Sequence, residues 1–337
     1  MFEAVIEITD KCPLSCLHCS TKASLTASHT LSLKDIQKVV SDGKRLGLDT
    51  VVISGGEPFS HPEFREIMSG FQNEVPRIKL YTSGITPIDG TIAPINPTDL
   101  AFLRQTFVSK LVVIFSVQGG SSDVHDSVTR IAGSFEILKE SMNNAFRLNL
   151  EMELHFVPLK LNLHSLESVY DLAADYGISR LSLLRFVPQG RGAQFSDQLL
   201  LSCKERKELS EIIDKLKARN GGVQIRTGAP FNFLKKKGNI CNVGQDRVLI
   251  NPFGDIYPCE AFKQCVEGAK NIRNVSLGEA FNESEIFIQI AEHHENRRRQ
   301  IQAGNSSHED RCSGCLAQSY IHTNRLSFKQ DPFAVVS

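Results

Sequence analysis

Up to about residue 190 the chain alternates two kinds of apolar patterning. Short apolar runs rich in β-branched residues, at 2–9, 50–54, 77–82, 110–117, 151–158 and 180–187, read as strands. Between them, the stretches 32–47, 62–72, 97–107, 130–149 and 162–177 carry apolar residues at helical spacing and read as amphipathic helices. Strand and helix in strict alternation imply parallel strands joined by crossover helices. Six such β/α units fall short of the eight that close a full barrel. The pattern therefore predicts an α/β fold, an open partial (β/α)6 barrel of TIM type, with a flat doubly wound sheet as the alternative.

In either architecture the loops after the strand C-termini hold the site. The chemically unusual residues fall there: DKCPLSCLHCS follows the first strand, SGGEP the second, TSG the third, SVQGG the fourth, PLKLN the fifth and PQGRG the sixth. Near residue 200 the rhythm changes. Ser202 and Glu205 form an S-x-x-E capping box that starts a helix over 203–219, so a boundary is placed there, with a barrel domain over 1–200 and a smaller domain over 201–337. In the second part RVLI, the turn NPFGD and IYPC read as a hairpin, and 283–302 as a charged helix.

Composition narrows the function classes. Of the 337 residues, 38 are Lys or Arg and 38 are Asp or Glu, and no long block of one sign stands out. Such a chain has no broad field for nucleic acid or an anionic membrane. The start, MFEAVIEITDKC, lacks a secretory signal, and runs such as LVVIF are too short to span a bilayer. A cytoplasmic protein is expected. Nine cysteines in a reducing compartment, clustered and odd in number, point to metal or redox chemistry rather than disulfides.

Cys12, Cys16 and Cys19 are spaced C-x3-C-x2-C. A closed zinc site needs four ligands, and His18 is the only nearby fourth candidate. Three thiolates on a four-iron cube leave one iron open. This loop after a first strand, with SGGEP after the second, resembles the radical S-adenosylmethionine (SAM) superfamily. The resemblance implies that the open iron is chelated by the amino and carboxylate groups of SAM. It also implies reductive cleavage of SAM to methionine and a 5′-deoxyadenosyl radical, which abstracts a hydrogen atom from substrate. In that family Gly55, Gly56 and Glu57 would receive the SAM amino group. Ser83, Ser116, Gln118 and Asn162 would contact its ribose or methionine part, and His18 would lie beside the adenine. Arg191, or Arg185, at the end of the sixth strand offers a guanidinium to a carboxylate of SAM or substrate. His125 and Asp126, with the following GSFEIL, resemble a stretch of the peptide-modifying members; helix capping is the plainer role for the aspartate.

Cys241, Gly254 and Cys259 followed by Cys312-x2-Cys315 resemble the C-terminal extension called SPASM, or its shorter form, twitch. No cysteine follows Cys315. The resemblance therefore implies the twitch arrangement, one auxiliary [4Fe–4S] cluster on Cys241, Cys259, Cys312 and Cys315. A zinc ribbon is the alternative for two separated thiolate pairs. Cys265 is either a substitute ligand, a hydrogen donor to a substrate radical or a structural thiol, and Cys203 is expected to be a small packed residue. Enzymes with such extensions mostly modify ribosomally made peptides, by crosslinking, epimerisation or oxidation, while a smaller group oxidises small molecules; a peptide is expected here, with a small molecule as the alternative. The implied partners are a peptide or small-molecule substrate and an external electron donor such as a flavodoxin or ferredoxin. Only 11 residues precede Cys12, so leader recognition is expected to need a separate protein or another surface. The competing class is a non-catalytic electron carrier or zinc module.

Overall fold

The structure is a computed structural model; it describes residues 2–88, 90–219, 221–228, 231, 241–263, 266–304, 314–327 and 331. Six parallel strands follow one another in chain order: β1 (Phe2–Glu7), β2 (Leu48–Ser54), β3 (Arg77–Thr82), then, after a small antiparallel hairpin of β4 (Ile85–Ile88) and β5 (Thr91–Pro94), β6 (Leu111–Ser116), β7 (Met152–Phe156) and β8 (Arg180–Leu183). All six strand expectations are met to within a few residues. The sheet does not stop there. β9 (Gln224–Thr227) pairs parallel with β8, while β10 (Arg247–Ile250) pairs parallel with β1 and antiparallel with β11 (Ile256–Tyr257). The result is a mostly parallel sheet of nine strands, with the predicted RVLI/IYPC hairpin extending its amino-terminal edge.

Strand alternation sends Ile6, Ile53, Leu80, Val113, Leu154 and Leu181 outward into one core shared with the helices. Helices α1 (Leu33–Arg45), α2 (Phe64–Gly70) and α3 (Pro97–Phe107) cover the first half. The second half carries α4 (Ser122–Thr129), α5 (Ser134–Arg147), α6 (Leu166–Asp175) and the short α7 (Ser196–Leu199). Beyond them lie α8 (Cys203–Lys217), α9 (Leu277–Glu283), α10 (Glu285–Gln302) and α11 (Leu316–Thr323). α8 starts on the expected box, with Ser202 Oγ accepting from Glu205 N and the Glu205 carboxylate accepting from Ser202 N. No helix among the described residues is long and apolar enough to cross a membrane.

Two expectations need correction. The helix expected over 130–149 is α5, which begins only at Ser134, because Arg130 ends the unpredicted α4 in the left-handed region and Gly133 (φ 79°) precedes α5. Asp126 joins the two by accepting from Gly133 N, Ser134 Oγ and Phe135 N at 2.6, 2.7 and 2.9 Å. Cys203 is exposed rather than packed, since it opens α8 on the solvent side, where Arg206 Nη2 donates to its sulfur.

Candidate active site

The first loop folds back on itself before any ligand is considered. Cys12 N donates to Ser24 O, Cys19 N to Cys16 O, and Ser15 and Leu17 N to Thr129 and Val128 O at the end of α4. Around the sulfurs of Cys12, Cys16 and Cys19 lie Leu14, Ala23, Ile85, Ile92, Ile131 and Ile137, an apolar bed. Burial pushes the Cys16 thiol up to about 12, and Cys19 beside it adds to the shift; Cys12 is raised for the same reasons, with Cys16 and Glu57 close by. The raised Cys12 and Cys16 thiols lose their protons when a cation arrives, so metal loading here releases protons. Among the described residues no three His, Cys, Asp or Glu side chains converge on the point a single ion would occupy. A four-iron cube instead spreads its thiolates over separate irons.

The SGGEP loop is built against that loop. Gly56 N donates to Thr9 O at 2.7 Å and Glu57 N to Lys11 O at 2.8 Å. A Cβ on Gly55, which sits at φ +136°, would lie 2.4 Å from Thr9 O, and one on Gly56 would lie 2.3 Å from Lys11 O. Only glycine permits this approach. On their Cβ side the glycines thus receive the cysteine loop's backbone, not a ligand. Glu57 is fully buried; its carboxylate accepts from Thr82 Oγ1 (2.7 Å), Ser83 N (2.8 Å), Ser83 Oγ (2.5 Å) and Phe59 N (3.4 Å). Four donors fill the acceptor sites of one carboxylate. Burial nevertheless pushes its pKa up to about 7, against the Ser83 and Thr82 hydrogen bonds. Glu57 and Ser83 therefore bind each other and tie the ends of β2 and β3 together.

Other expected contacts also turn inward. Asn162 Oδ1 accepts from Leu159 N at 2.7 Å, and its Nδ2 donates to Gln118 O and Val157 O at 3.0 and 3.1 Å. It pins the loop after β6 to the loop after β7. Arg191 Nη1 and Nη2 donate to Cys16 O and Ala23 O at 3.2 and 2.6 Å, so its guanidinium braces the cysteine loop from across the barrel mouth. Arg185 is held by buried Asp331, whose carboxylate also accepts from Cys315 N at 2.8 Å. His125 Nδ1 accepts from Gln118 N at 3.1 Å, and its own pKa falls to about 4 through burial. With Asp126 bridging α4 and α5, the His125–Asp126 stretch is local scaffold.

What remains open is the inner face. Glu7, His18, Gln118, His155, Ser182 and Gln189 each keep a buried side-chain atom with no hydrogen-bond partner. His155 registers with Ser116 on β6 and Ser182 on β8, and Ser116 Oγ lies 3.4 Å from His155 Nδ1. Burial lowers His18 to about 4 and His155 to about 3, so both rings are neutral at physiological pH. Apart from the Glu7 carboxylate, these are a row of uncharged polar atoms without partners beside an apolar thiol bed, a lining that fits a polar organic cofactor and a cluster side by side. The sequence pointed to His18, Ser116 and Gln118 in this row. It missed Gln189 and also His155, Ser182 and Glu7, whose only sequence signal is a polar residue at an inward position of an otherwise apolar strand.

The second cysteine set is drawn together from distant segments. Burial raises Cys241, Cys259 and Cys315; Cys315 lies close enough to add to the rise of Cys241, to about 12, and Glu260, Cys315 and Cys241 add to that of Cys259. Cys312 and Cys265 lie outside the described residues.

The family model of the radical SAM superfamily matches residues 6–173, a span that begins in β1 and holds the cysteine loop, the SGGEP loop and the inner row as far as His155. The chain belongs to the radical SAM superfamily. It is an enzyme of the class that uses SAM and a [4Fe–4S] cluster. As a radical SAM enzyme it is 25% identical over 326 residues to the mycofactocin maturase MftC of Mycolicibacterium smegmatis, covering 94% of this chain and 78% of that one. It is 23% identical over 350 residues to the AdoMet-dependent heme synthase of Methanosarcina barkeri, covering 98% and 95%. Its fold matches Streptococcus suis SuiB bound to the precursor peptide SuiA with a TM-score of 0.72, at 14% identity and over 99% and 75% of the two chains.

Proposed function

We propose that this radical SAM enzyme modifies a peptide, with Cys12, Cys16 and Cys19 holding the SAM-binding cluster and Cys241, Cys259, Cys312 and Cys315 holding an auxiliary one. The observation that carries the first part is the three-thiol loop locked at the end of β1 by the glycine turn. When bound, a cluster with an open iron supplies the electron that splits SAM and yields the hydrogen-abstracting radical. The chain does the rest. Arg191 and the Gly55–Gly56 turn hold the cysteine loop rigid, Ser116 and Gln118 offer polar contacts at the barrel mouth, and the apolar bed excludes water from the sulfurs.

Support for a peptide comes from the maturase relative, from the precursor peptide bound to SuiB, and from the uncharged side chains of His18, Gln118, His155 and Ser182 on the inner face, which offer partners to amide groups. The heme synthase relative supports a second possibility, a small-molecule substrate. Anaerobic reconstitution tests both levels. Two cubes give about eight irons per chain, and SAM should perturb the spectrum of one of them and yield 5′-deoxyadenosine on reduction. Deuterium moving from a precursor peptide encoded beside the gene into 5′-deoxyadenosine supports the peptide; deuterium arriving only from a porphyrin precursor refutes it.

A further inference from the structure

Three segments meet beside Cys19, and a single buried cation joins them. Lys263 lies four residues after Cys259 and is buried; its Nζ donates to Glu7 at 2.5 Å and to Ser20 Oγ at 2.9 Å. Glu7 ends β1 on the inner face, and Ser20 directly follows Cys19. The loop after β8 is wedged into the same junction. Gly190 is packed so tightly that a Cβ would lie 2.5 Å from Ser20 C, Gly192 N donates to Cys19 O at 3.0 Å, and Gln189 Nε2 donates to Glu260 O at 2.6 Å. The arm that carries Cys259 and the loop that carries Cys19 are thus bonded to each other, directly through Lys263 and again through residues 189–192.

Stability alone is a poor reason for such a pair. Removing an ammonium and a carboxylate from water is costly, and apolar replacements of similar size are often no less stable. What an ion pair provides that an apolar pair does not is a field. In a buried, weakly screened setting a full charge near a redox centre shifts the balance between its oxidation states. The ammonium is the member that reaches Ser20, next to Cys19, whereas Glu7 holds it from the opposite side and keeps its second oxygen unpartnered.

We propose that Lys263 is a positioning residue: it locks the Cys259 arm onto the amino-terminal cysteine loop and, together with Glu7, sets the charge felt at that loop's cluster. A cation favours the reduced cluster, which carries one more negative charge, and an unpaired carboxylate disfavours it. The two members of the pair therefore act with opposite sign. This rests on the assignment of the SAM-binding cluster to Cys12, Cys16 and Cys19.

The test uses the full chain reconstituted as wild type, Lys263→Met, Glu7→Gln and the double variant, with the midpoint potential of the SAM-responsive cluster read by electron paramagnetic resonance. Hydrogen exchange of residues 16–23 is followed in parallel. Lys263→Met should lower the potential and speed exchange of the loop, Glu7→Gln should raise the potential, and the double variant should fall between them, near wild type. Potentials equal in all four proteins, or displaced in the same direction by both single substitutions, overturn the proposal. If Lys263→Met fails to assemble, Glu7→Gln decides alone, since an unchanged or lowered potential there overturns it equally. Failure of the underlying assignment looks different: the wild-type protein itself would then show no cluster signal that SAM perturbs.

Discussion

Arg191 illustrates how a residue expected to meet a ligand also braces the loop beside it. At the sixth strand's end a guanidinium suggests a carboxylate ligand, and two of its five N–H groups are engaged by Cys16 O and Ala23 O. Arg191→Ala would leave two loop carbonyls without their donor, a cost of about 1–3 kcal/mol for each that stays buried. The expected outcome is slower iron incorporation at the first site and faster hydrogen exchange over 16–23, measured by iron content and mass spectrometry. Cys16→Ala should go further and abolish SAM cleavage, checked by 5′-deoxyadenosine release. Glu57 gives a pH signature. Its carboxyl is raised from 4.5 to about 7 by burial, so the folded state binds the proton more tightly than the unfolded one. Its contribution to stability is then fully present below about 4.5 and lost as pH rises through about 7. Glu57→Gln should flatten the fall in denaturation midpoint across that window.

Between elements, the decisive contacts are backbone to backbone. The β2 turn docks on the β1 loop through Gly55 and Gly56, where a single methyl would sit 2.4 or 2.3 Å from a carbonyl oxygen. Gly55→Ala should therefore separate the two loops and lose the first cluster while leaving the helices intact, seen as lost absorbance of the cluster with an unchanged far-ultraviolet circular dichroism spectrum. The parallel strands and their helices were legible in the sequence because apolar periodicity reports burial directly, and β1, β3 and α3 matched closely. The break between α4 and α5 was not, since Arg130 in the left-handed region obeys no local propensity and is held by Asp126 and its partners. Nor was β9, four residues whose strand identity comes from pairing with β8 rather than from any pattern of their own.

At the scale of the whole molecule, the carboxyl-terminal segments are joined to the barrel by sheet, core and buried charge. β10 extends the sheet from β1, and Arg185 on the barrel meets Asp331, which also accepts from Cys315 N. Both partners are buried. Breaking such a pair by removing one member costs about 3–5 kcal/mol, because the other charge is stranded. Arg185→Met should lower the melting temperature and selectively release iron from the second cysteine set, with the SAM-responsive signal retained. Cys312→Ala should likewise lose iron yet spare some SAM cleavage uncoupled from substrate, which a comparison of 5′-deoxyadenosine with product would register.

The sequence by itself determined the α/β class, the order of the barrel strands, and the place of the clustered cysteines after the first strand, since periodicity and spacing are local properties of the chain. It also marked Glu57, Ser83, Asn162 and Arg191 as members of the right loops. Which of them face a ligand and which bind one another was decided only by tertiary structure. Hydrogen-bond partners of a buried polar group are chosen by whatever strand end folding brings within 3 Å, and contacts such as Lys263 with Glu7, 256 residues apart, have no trace in local pattern.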